Sequence, residues 1–397
     1  MMSSNQKNKT PHNAKHSNHI LLSNRVAFLV IGCLEAAWSP IVPYVKSAFE
    51  LNEGQLGTLM LCSGLGSVAA LPFAGMLCSR YGAKHTVWTS GFLMILALLF
   101  ISMLANVWLT AAMLIIFGAC TIIIDVSANV NGIILERRLD HHLMSGFHGG
   151  YSFGTLMGSF LMSCLFSIGL VPLTAVIITT GLTLLAIIFG SRGLLSRENI
   201  PQEKKDVTDK HHHYSVPAIV IIIGLMCFVM YSAEGAILGW GAVFANEERG
   251  IAMRYAGFFY VAFAVMMTAT RFLGDSMVAR VGQRNIIAGG AALAAIGFAV
   301  AALINSPIAT VIGFALIGLG AANLAPQLVS YVGNVEGISV QNAVSIVNAL
   351  GYSGILVGPV AIGFIAQNFS LTTSFCCIAV LCLLVSITSF LMLRQSK

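Results

Sequence analysis

The sequence predicts an all-α membrane protein with twelve transmembrane helices in two six-helix halves. Of the 397 residues, 57% are hydrophobic and only 9% are charged, whereas soluble domains carry about 25% charged residues. Apolar runs of about twenty residues recur along the chain, and each is long enough to cross a hydrocarbon core of about 30 Å as a helix. Runs such as "TAVIITTGLTLLAIIFG" lack the alternation of β-barrel strands. The spans are therefore expected to be helical.

Each apolar run is interpreted as one helix, in chain order. The helices are expected at residues 24–46, 55–77, 86–105, 108–134, 144–168, 170–190, 216–245, 254–277, 285–304, 307–332, 342–368 and 371–393.

Two polar stretches set the domain organisation. Residues 1–23 are polar and basic without an apolar core of their own, so they form a cytoplasmic tail and not a cleaved signal. Residues 191–215 form a cytoplasmic linker between an N-terminal half, 24–190, and a C-terminal half, 216–397. The linker contains His211, His212 and His213, for which a solvated tract is favoured over a metal site and whose role stays open.

The basic residues predict the orientation in the membrane. With the N-terminus inside, 17 of the 21 Lys and Arg residues lie in the tail with Arg25 or in segments on the cytoplasmic side. The opposite side has three, and the last, Arg271, lies inside the eighth span. Because cytoplasmic loops retain positive charge, both termini are expected in the cytoplasm. The net charge of +6 is thereby explained without a nucleic-acid surface.

The two halves repeat one another with a shift of about 200 residues. The matching positions are Gly57 and Gly257, Arg80-x-Gly82-x-Lys84 and Arg280-x-Gly282-x-Arg284, Gly158 and Gly358, and, with a shift of 199, Glu35 and Glu234. Duplicated halves of this kind are typical of transporters that alternate access around a central site at the repeat interface.

The loop after the second helix, "GMLCSRYGAKH", resembles the signature of the major facilitator superfamily between helices two and three. The second half has a weaker copy, "GDSMVARVGQR". The resemblance covers essentially the whole chain, and "SAEGAILGW" and "LGYSGILVGPVAIGF" are similar to a poorly characterised bacterial inner-membrane subgroup. The resemblance implies that the signature residues help to hold the outward-facing state. The predicted gating residues are Gly75, Arg80, Gly82, Lys84, Arg271, Asp275, Arg280, Gly282 and Arg284.

The chain departs from the family pattern in three places. Ser79 stands where the signature normally has an aspartate, so the acidic partner of its charge relay is missing. The fourth helix lacks the arginine associated with proton-driven antiporters, and the fifth lacks the Gly-Pro signature of drug antiporters, although the eleventh contains "GILVGPVAIG". These absences count against drug export.

Three intramembrane acids are the main candidates for the transport site. A charged side chain at the bilayer centre costs at least about 2.5 to 3.5 kcal/mol, so such residues point to function. Glu35 lies near the middle of the first helix, Glu234 holds the equivalent place in the seventh, and Asp125 lies in the fourth. A carboxyl group in a central cavity can exchange a proton or hold a polar substrate; the alternative for each is a structural contact with a neighbouring helix.

Uncharged polar groups at membrane depth complete the predicted cavity. Trp38 shares the face of Glu35 at i+3, and Asn129 shares the face of Asp125. Weaker candidates are Asn323, Asn348 and Tyr352. Arg271 and Asp275, spaced i, i+4, are able to pair with each other along one helix and are interpreted as part of the second-half signature.

The predicted function is secondary active transport of a small polar solute by alternating access across the bacterial inner membrane, with proton symport as the favoured coupling. The alternative within the class is proton-driven efflux of an amphiphilic, drug-like or siderophore-like compound. An enzyme is not expected, because no nucleophile, base or metal-ligand cluster is found at membrane depth. A non-transporting sensor would need a sizeable soluble domain. The longest polar segment after the tail, residues 191–215, is too short for one.

The expected partners are a small-molecule solute, protons and the lipid bilayer, with the protein as a monomer and no cofactor. A phosphate-binding loop of the G-x-x-x-x-G-K-[ST] type is absent from the sequence, which argues against direct ATP drive. The sequence leaves open the solute, the direction of transport and the stoichiometry.

Overall fold

The fold is a bundle of long helices, in a computed structural model that describes residues 11–139, 143–199, 216–333 and 335–393. The first ten residues and most of the predicted linker, with His211, His212 and His213, lie outside this range. The helices are α1 (Pro11–Ala37), α2 (Val42–Ala48), α3 (Glu53–Ser102), α4 (Val107–Leu139), α5 (Met144–Ser167), α6 (Pro172–Gly190), α7 (Ala218–Glu247), α8 (Met253–Val281), α9 (Gln283–Leu303), α10 (Pro307–Ala321), α11 (Leu324–Val332), α12 (Val340–Asn368) and α13 (Leu371–Met392).

The prediction of twelve transmembrane helices is confirmed. Ten stretches of the described residues are long and apolar enough to cross a membrane. One of them, α3, contains two spans, and α5, with 24 residues, supplies the twelfth. The first span combines α1 and α2, and the tenth combines α10 and α11.

Three helix boundaries differ from the sequence-based expectation. Helix α1 already begins at Pro11, inside the predicted tail. The loop expected between the second and third spans is reduced to a break at Gly82 within α3. The tenth span is interrupted between Ala321 and Leu324. Hydropathy marks where a helix enters the membrane, whereas backbone hydrogen bonding continues past that point, so apolar runs underestimate helix length.

The internal repeat is visible in the backbone. Gly82 has φ 84° and ψ 152°, and Gly282, its partner in the second half, has φ 85° and ψ 148°. An L-residue rarely adopts this left-handed conformation, which explains glycine at both sites. Each glycine ends one transmembrane helix and begins the next.

The helices pack as two sets. Helices α1 and α3 to α6 contact one another, and α7 to α13 do the same. The sets meet along two long contacts, α5 with α8 and α3 with α12. Shorter contacts join α2 to α7 and Ser39–Ile41 to both α7 and α8. The division of the chain at residues 191–215 stays a prediction, because residues 200–215 are outside the described range.

Close packing of α1 on α5 brings the candidate site together. A Cβ atom at Gly154 would clash with the carbonyl of Leu29, and one at Gly158 with that of Cys33. The second set repeats this contact between α7 and α12, where Gly354 approaches the carbonyl of Phe228. Small residues allow such backbone approach between membrane helices.

Substitution of Gly154 tests this contact. We expect Gly154→Ala to lower the free energy of unfolding by about 1–3 kcal/mol, because the methyl group overpacks the α1–α5 interface. Gly146→Ala is the matched control, since a Cβ there meets no atom within 4 Å. Unfolding in mixed micelles measures both. Equal stabilities would contradict the close contact.

Candidate functional site

Glu35 lies where the first span loses its regular helix. Helix α1 ends at Ala37, and a short 3-10 helix, Ser39–Ile41, leads into α2. The prolines at positions 40 and 43 account for the break, because they lack backbone N–H groups. The hydroxyl of Tyr151 in α5 donates a hydrogen bond of 2.8 Å to Oε2 of Glu35. Trp38, predicted to share this face, lies in the broken segment and is buried.

Glu234, the equivalent residue of α7, faces Arg271 of α8. Nη2 of Arg271 lies 3.6 Å from Oε2 of Glu234, and both side chains are about four-fifths buried, at 18% and 22% exposed. Oε1 of Glu234 is buried and has no hydrogen-bond partner among the described residues. The pair is therefore loose, which leaves the carboxylate able to accept a hydrogen bond.

Arg271 connects the two sets of helices. Nη1 donates to Oγ of Ser152 in α5 at 2.7 Å, and Nε donates to the carbonyl of Ala322 at 3.2 Å. The Ala322 carbonyl is available because the residue four positions later, Pro326, has no backbone N–H to donate.

Sequence reasoning grouped Arg271 with Asp275 and missed its contact with Glu234. The side chain of Asp275 lies outside the described residues, so the predicted pairing along α8 and the gating role of both stay predictions. The signal was present: Arg271 is the one basic residue that the orientation count placed inside a span, and intramembrane charges are usually paired and functional.

Asp125 contributes a third carboxyl group from α4. Nδ2 of Asn129, one turn further on, donates to Oδ1 of Asp125 at 3.0 Å and to its backbone carbonyl at 2.9 Å. The negative charges of Asp125 and Glu234 both act on Glu35, and those of Asp125 and Glu35 act on Tyr352 of α12. Glu35 thus interacts with each of the other two acids.

The weaker cavity candidates lie on α12 and at the α10–α11 break. The rings of Tyr352 and Tyr231 stack with centroids 5.7 Å apart. Asn323, at the break, is buried and donates to the carbonyl of Thr270 at 3.3 Å. Asn348 is half-buried in α12. The stacked tyrosines interact with the acids, Tyr352 with Asp125 and Glu35, and Tyr231 with Glu234.

Apart from Arg271 and Asp275, the predicted gating residues lie away from the acids, at the end of the bundle that carries Arg80 (the Arg80 end). The backbone N–H of Lys84 donates to the Leu195 carbonyl at 3.2 Å. The Arg284 guanidinium donates to the Phe390 carbonyl and lies over the Phe390 ring. Arg80 borders a cavity of about 890 Å³ that Arg197 also lines. Gly75 and Arg280 also lie near this end, in α3 and α8.

A buried lysine joins the two sets at the opposite end (the Lys46 end). Nζ of Lys46 in α2 lies 2.9 Å from Oε1 of Glu53, at the start of α3, and 2.6 Å from Oε2 of Glu247, at the end of α7. The Lys46 side chain is only 11% exposed. These three residues, the Lys46 cluster, were not singled out from the sequence, because each lies at a helix end where charge is ordinary.

Metal binding finds no support among the residues that the structure describes, since no group of three His, Cys, Asp or Glu side chains is placed to hold an ion.

Comparison with known proteins agrees with this architecture. An uncharacterised transporter of the major facilitator type from Yersinia pestis is 38% identical over 365 residues, which is 92% of this chain and 94% of that protein. The membrane protein MosC of Rhizobium meliloti is 29% identical over 348 residues, 87% of this chain and 83% of that protein.

Solved structures share the fold at low sequence identity. The D-xylose-proton symporter has a TM-score of 0.75 at 15% identity, over 96% of this chain and 98% of that one. The nucleoside transporter NupG has a TM-score of 0.69 at 13% identity, over 95% and 100%.

The family model of the major facilitator superfamily matches residues 26–335 and 223–397, which together include nearly all of the chain. With the twelve helices and the Yersinia relative, this match shows that the chain belongs to the major facilitator superfamily and is a multi-pass membrane transporter.

Proposed function

We propose that this transporter is a proton-coupled symporter of a small polar solute, acting as a monomer by alternating access in the bacterial inner membrane. The observation that carries the proposal is that Glu35, which accepts a hydrogen bond from Tyr151, also interacts with the charges of Asp125 and Glu234. One cation, Arg271, touches one of the three acids. Neutral donors serve the other two.

This arrangement suits proton loading. Glu35 accepts from Tyr151 and Asp125 from Asn129, and both bonds favour an ionised carboxylate that remains able to bind a proton. Because like charges in a poorly hydrated cavity repel, binding of a proton or of solute donors lowers the energy of the site. A solute rich in hydroxyl or amide groups would form hydrogen bonds with Glu234 and with the asparagine side chains predicted for the cavity.

The contacts between the sets support an inward-facing state. At the Lys46 end, α2 meets α7 through the Lys46 cluster. Helix α3 meets α12 where Gly57 approaches Pro359 and Gly64 approaches Leu356, both in the half of the second span nearer that end. We assign the Arg80 end to the cytoplasm, because most of the basic residues lie at that end. The Lys46 end then faces the periplasm. Both termini are then cytoplasmic.

Solute-driven proton movement in proteoliposomes tests the proposal. Sugars, nucleosides, amino acids and organic acids are added outside vesicles that contain a pH-sensitive dye. We expect at least one solute to acidify the lumen, and Glu35→Gln to reduce that acidification at least about tenfold, as loss of a group that carries the proton requires. Glu50→Gln, an exposed carboxylate at the Lys46 end, is the matched control.

One outcome would contradict proton symport, and another would contradict the role of the carboxyl groups. If solute uptake alkalinises the lumen, the exchange is antiport and the efflux alternative gains support. If acidification survives in Glu35→Gln, Asp125→Asn and Glu234→Gln alike, the carboxyl groups are structural.

A further inference from the structure

Two consecutive residues of α5, Tyr151 and Ser152, bind different charged groups of the candidate site. The Tyr151 hydroxyl donates to Glu35, which belongs to the first set of helices, at 2.8 Å. Oγ of Ser152 accepts from Arg271, which belongs to the second set, at 2.7 Å. The Ser152 hydroxyl donates its own hydrogen to the His148 carbonyl at 3.2 Å, so its oxygen is oriented to accept.

The backbone of the same residue is also bound across the interface between the sets. The Ser152 carbonyl accepts a hydrogen bond of 2.9 Å from Oγ1 of Thr268 in α8. Ser152 is buried, at 1% exposed, so water does not compete for these bonds. One turn of α5 is therefore fixed to Glu35 on one side and to α8 on the other.

The connection continues to the second carboxyl group. Nη2 of Arg271 lies 3.6 Å from Oε2 of Glu234, so a small displacement of the guanidinium changes this distance appreciably. The series Glu35, Tyr151, Ser152, Arg271, Glu234 thus joins the two acids that occupy equivalent places in the repeated halves. Neighbouring side chains with two discrete arrangements are the physical means by which sites couple.

We propose that Tyr151 and Ser152 are positioning residues that couple the protonation of Glu35 to that of Glu234. The inference rests on the proposed function and adds a link between its two acids. When Glu35 is ionised, the charge-assisted bond from Tyr151 holds the α5 turn. When Glu35 takes a proton, that bond weakens, Ser152 shifts with its neighbour, and Arg271 changes its distance to Glu234.

Other titratable groups also interact electrostatically with Glu35 and Glu234. Asp125 of α4 and Tyr260 of α8 interact with Glu35, as does Tyr352 of α12. Glu234 interacts with Tyr231 on its own helix and with Tyr260. Arg271 also acts on His148. These interactions act through space and do not require Ser152, so a direct component of the coupling remains when the series is cut.

Infrared pH titration of the full-length protein in lipid bilayers, without solute, measures the coupling. The carboxyl C=O band that is lost in Glu234→Gln belongs to Glu234, and its titration midpoint is followed. We expect Glu35→Gln to move this midpoint by about one pH unit or more, as strongly interacting acids require. In a Ser152→Ala or Tyr151→Phe background the same Glu35→Gln change is expected to move it by less than half as much.

Ser159→Ala is the matched control, because among the described residues the Ser159 hydroxyl bonds within α5, to the carbonyls of Thr155 and Leu156. In that background the full shift is expected. An unreduced shift in Ser152→Ala and Tyr151→Phe would overturn the proposal, since the coupling would then be wholly through space. The readout involves no transport, so failure of the linkage and failure of proton symport are distinguished.

Discussion

Replacing Lys46 with glutamine is expected to open the Lys46 end of the transporter. The substitution removes the one cation that lies between Glu53 and Glu247, and the two carboxylates then repel each other across the junction of α2, α3 and α7. A coupling of about 1–3 kcal/mol between this junction and the global state corresponds to a shift of about 5- to 150-fold toward the state with that end open.

Distances between spin labels at positions 47 and 252 measure the shift. Ser47 and Ala252 are exposed and belong to different sets of helices. The labels require a background in which the nine native cysteines are replaced. Arg249→Gln is the matched control, because Arg249 donates to Thr310 and to the carbonyl of Ala301, both within the second set of helices. An unchanged distance distribution in Lys46→Gln would show that the cluster does not hold that end closed.

Removal of Arg271 is expected to destabilise the protein strongly. Arg271→Met keeps the length of the side chain but leaves Glu234 without its cation, and breaking a buried ion pair in this way costs about 3–5 kcal/mol of unfolding free energy. The double variant Arg271→Met/Glu234→Gln removes both charges. We expect it to recover more than half of the loss, because no uncompensated carboxylate remains.

Unfolding titrations of the four members of this cycle give the interaction energy, and Arg280→Met, at an exposed position of the same helix, is the control for loss of positive charge. Additive effects of the two substitutions would mean that Glu234 and Arg271 do not interact energetically, despite their proximity.

The sequence predicted the number of membrane spans. The contacts that it did not predict were missed for physical reasons. Hydropathy detects spans because lipid excludes unpaired backbone groups and charges, which holds for every helix. The same argument identified Glu35, Asp125 and Glu234 as unusual. It does not report which helix faces which, so the Arg271–Glu234 contact and the partner role of Tyr151 required the packing of α1, α5, α7 and α8.

Local geometry explains the remaining differences. The i, i+4 spacing of Arg271 and Asp275 predicts a pair along one helix, and this stays a prediction. The spacing carries no information on the contacts that the long arginine side chain makes with α5, α7 and the α10–α11 break. The Lys46 cluster joins residues about 200 positions apart in sequence, and no local pattern encodes such a pairing. The glycines at 82 and 282, by contrast, were predicted as a repeated pair because their backbone requirement is local.

The tight approach of α1 to α5, and of α7 to α12, restricts the path that a solute is able to take. A single methyl group does not fit between the backbones at Gly154 or Gly354, so no sugar-sized molecule passes through either interface. In the proposed transport cycle each pair would move as one unit, and the solute would pass through the space between the two pairs. It would then meet Glu35 and Glu234 from opposite sides of that space.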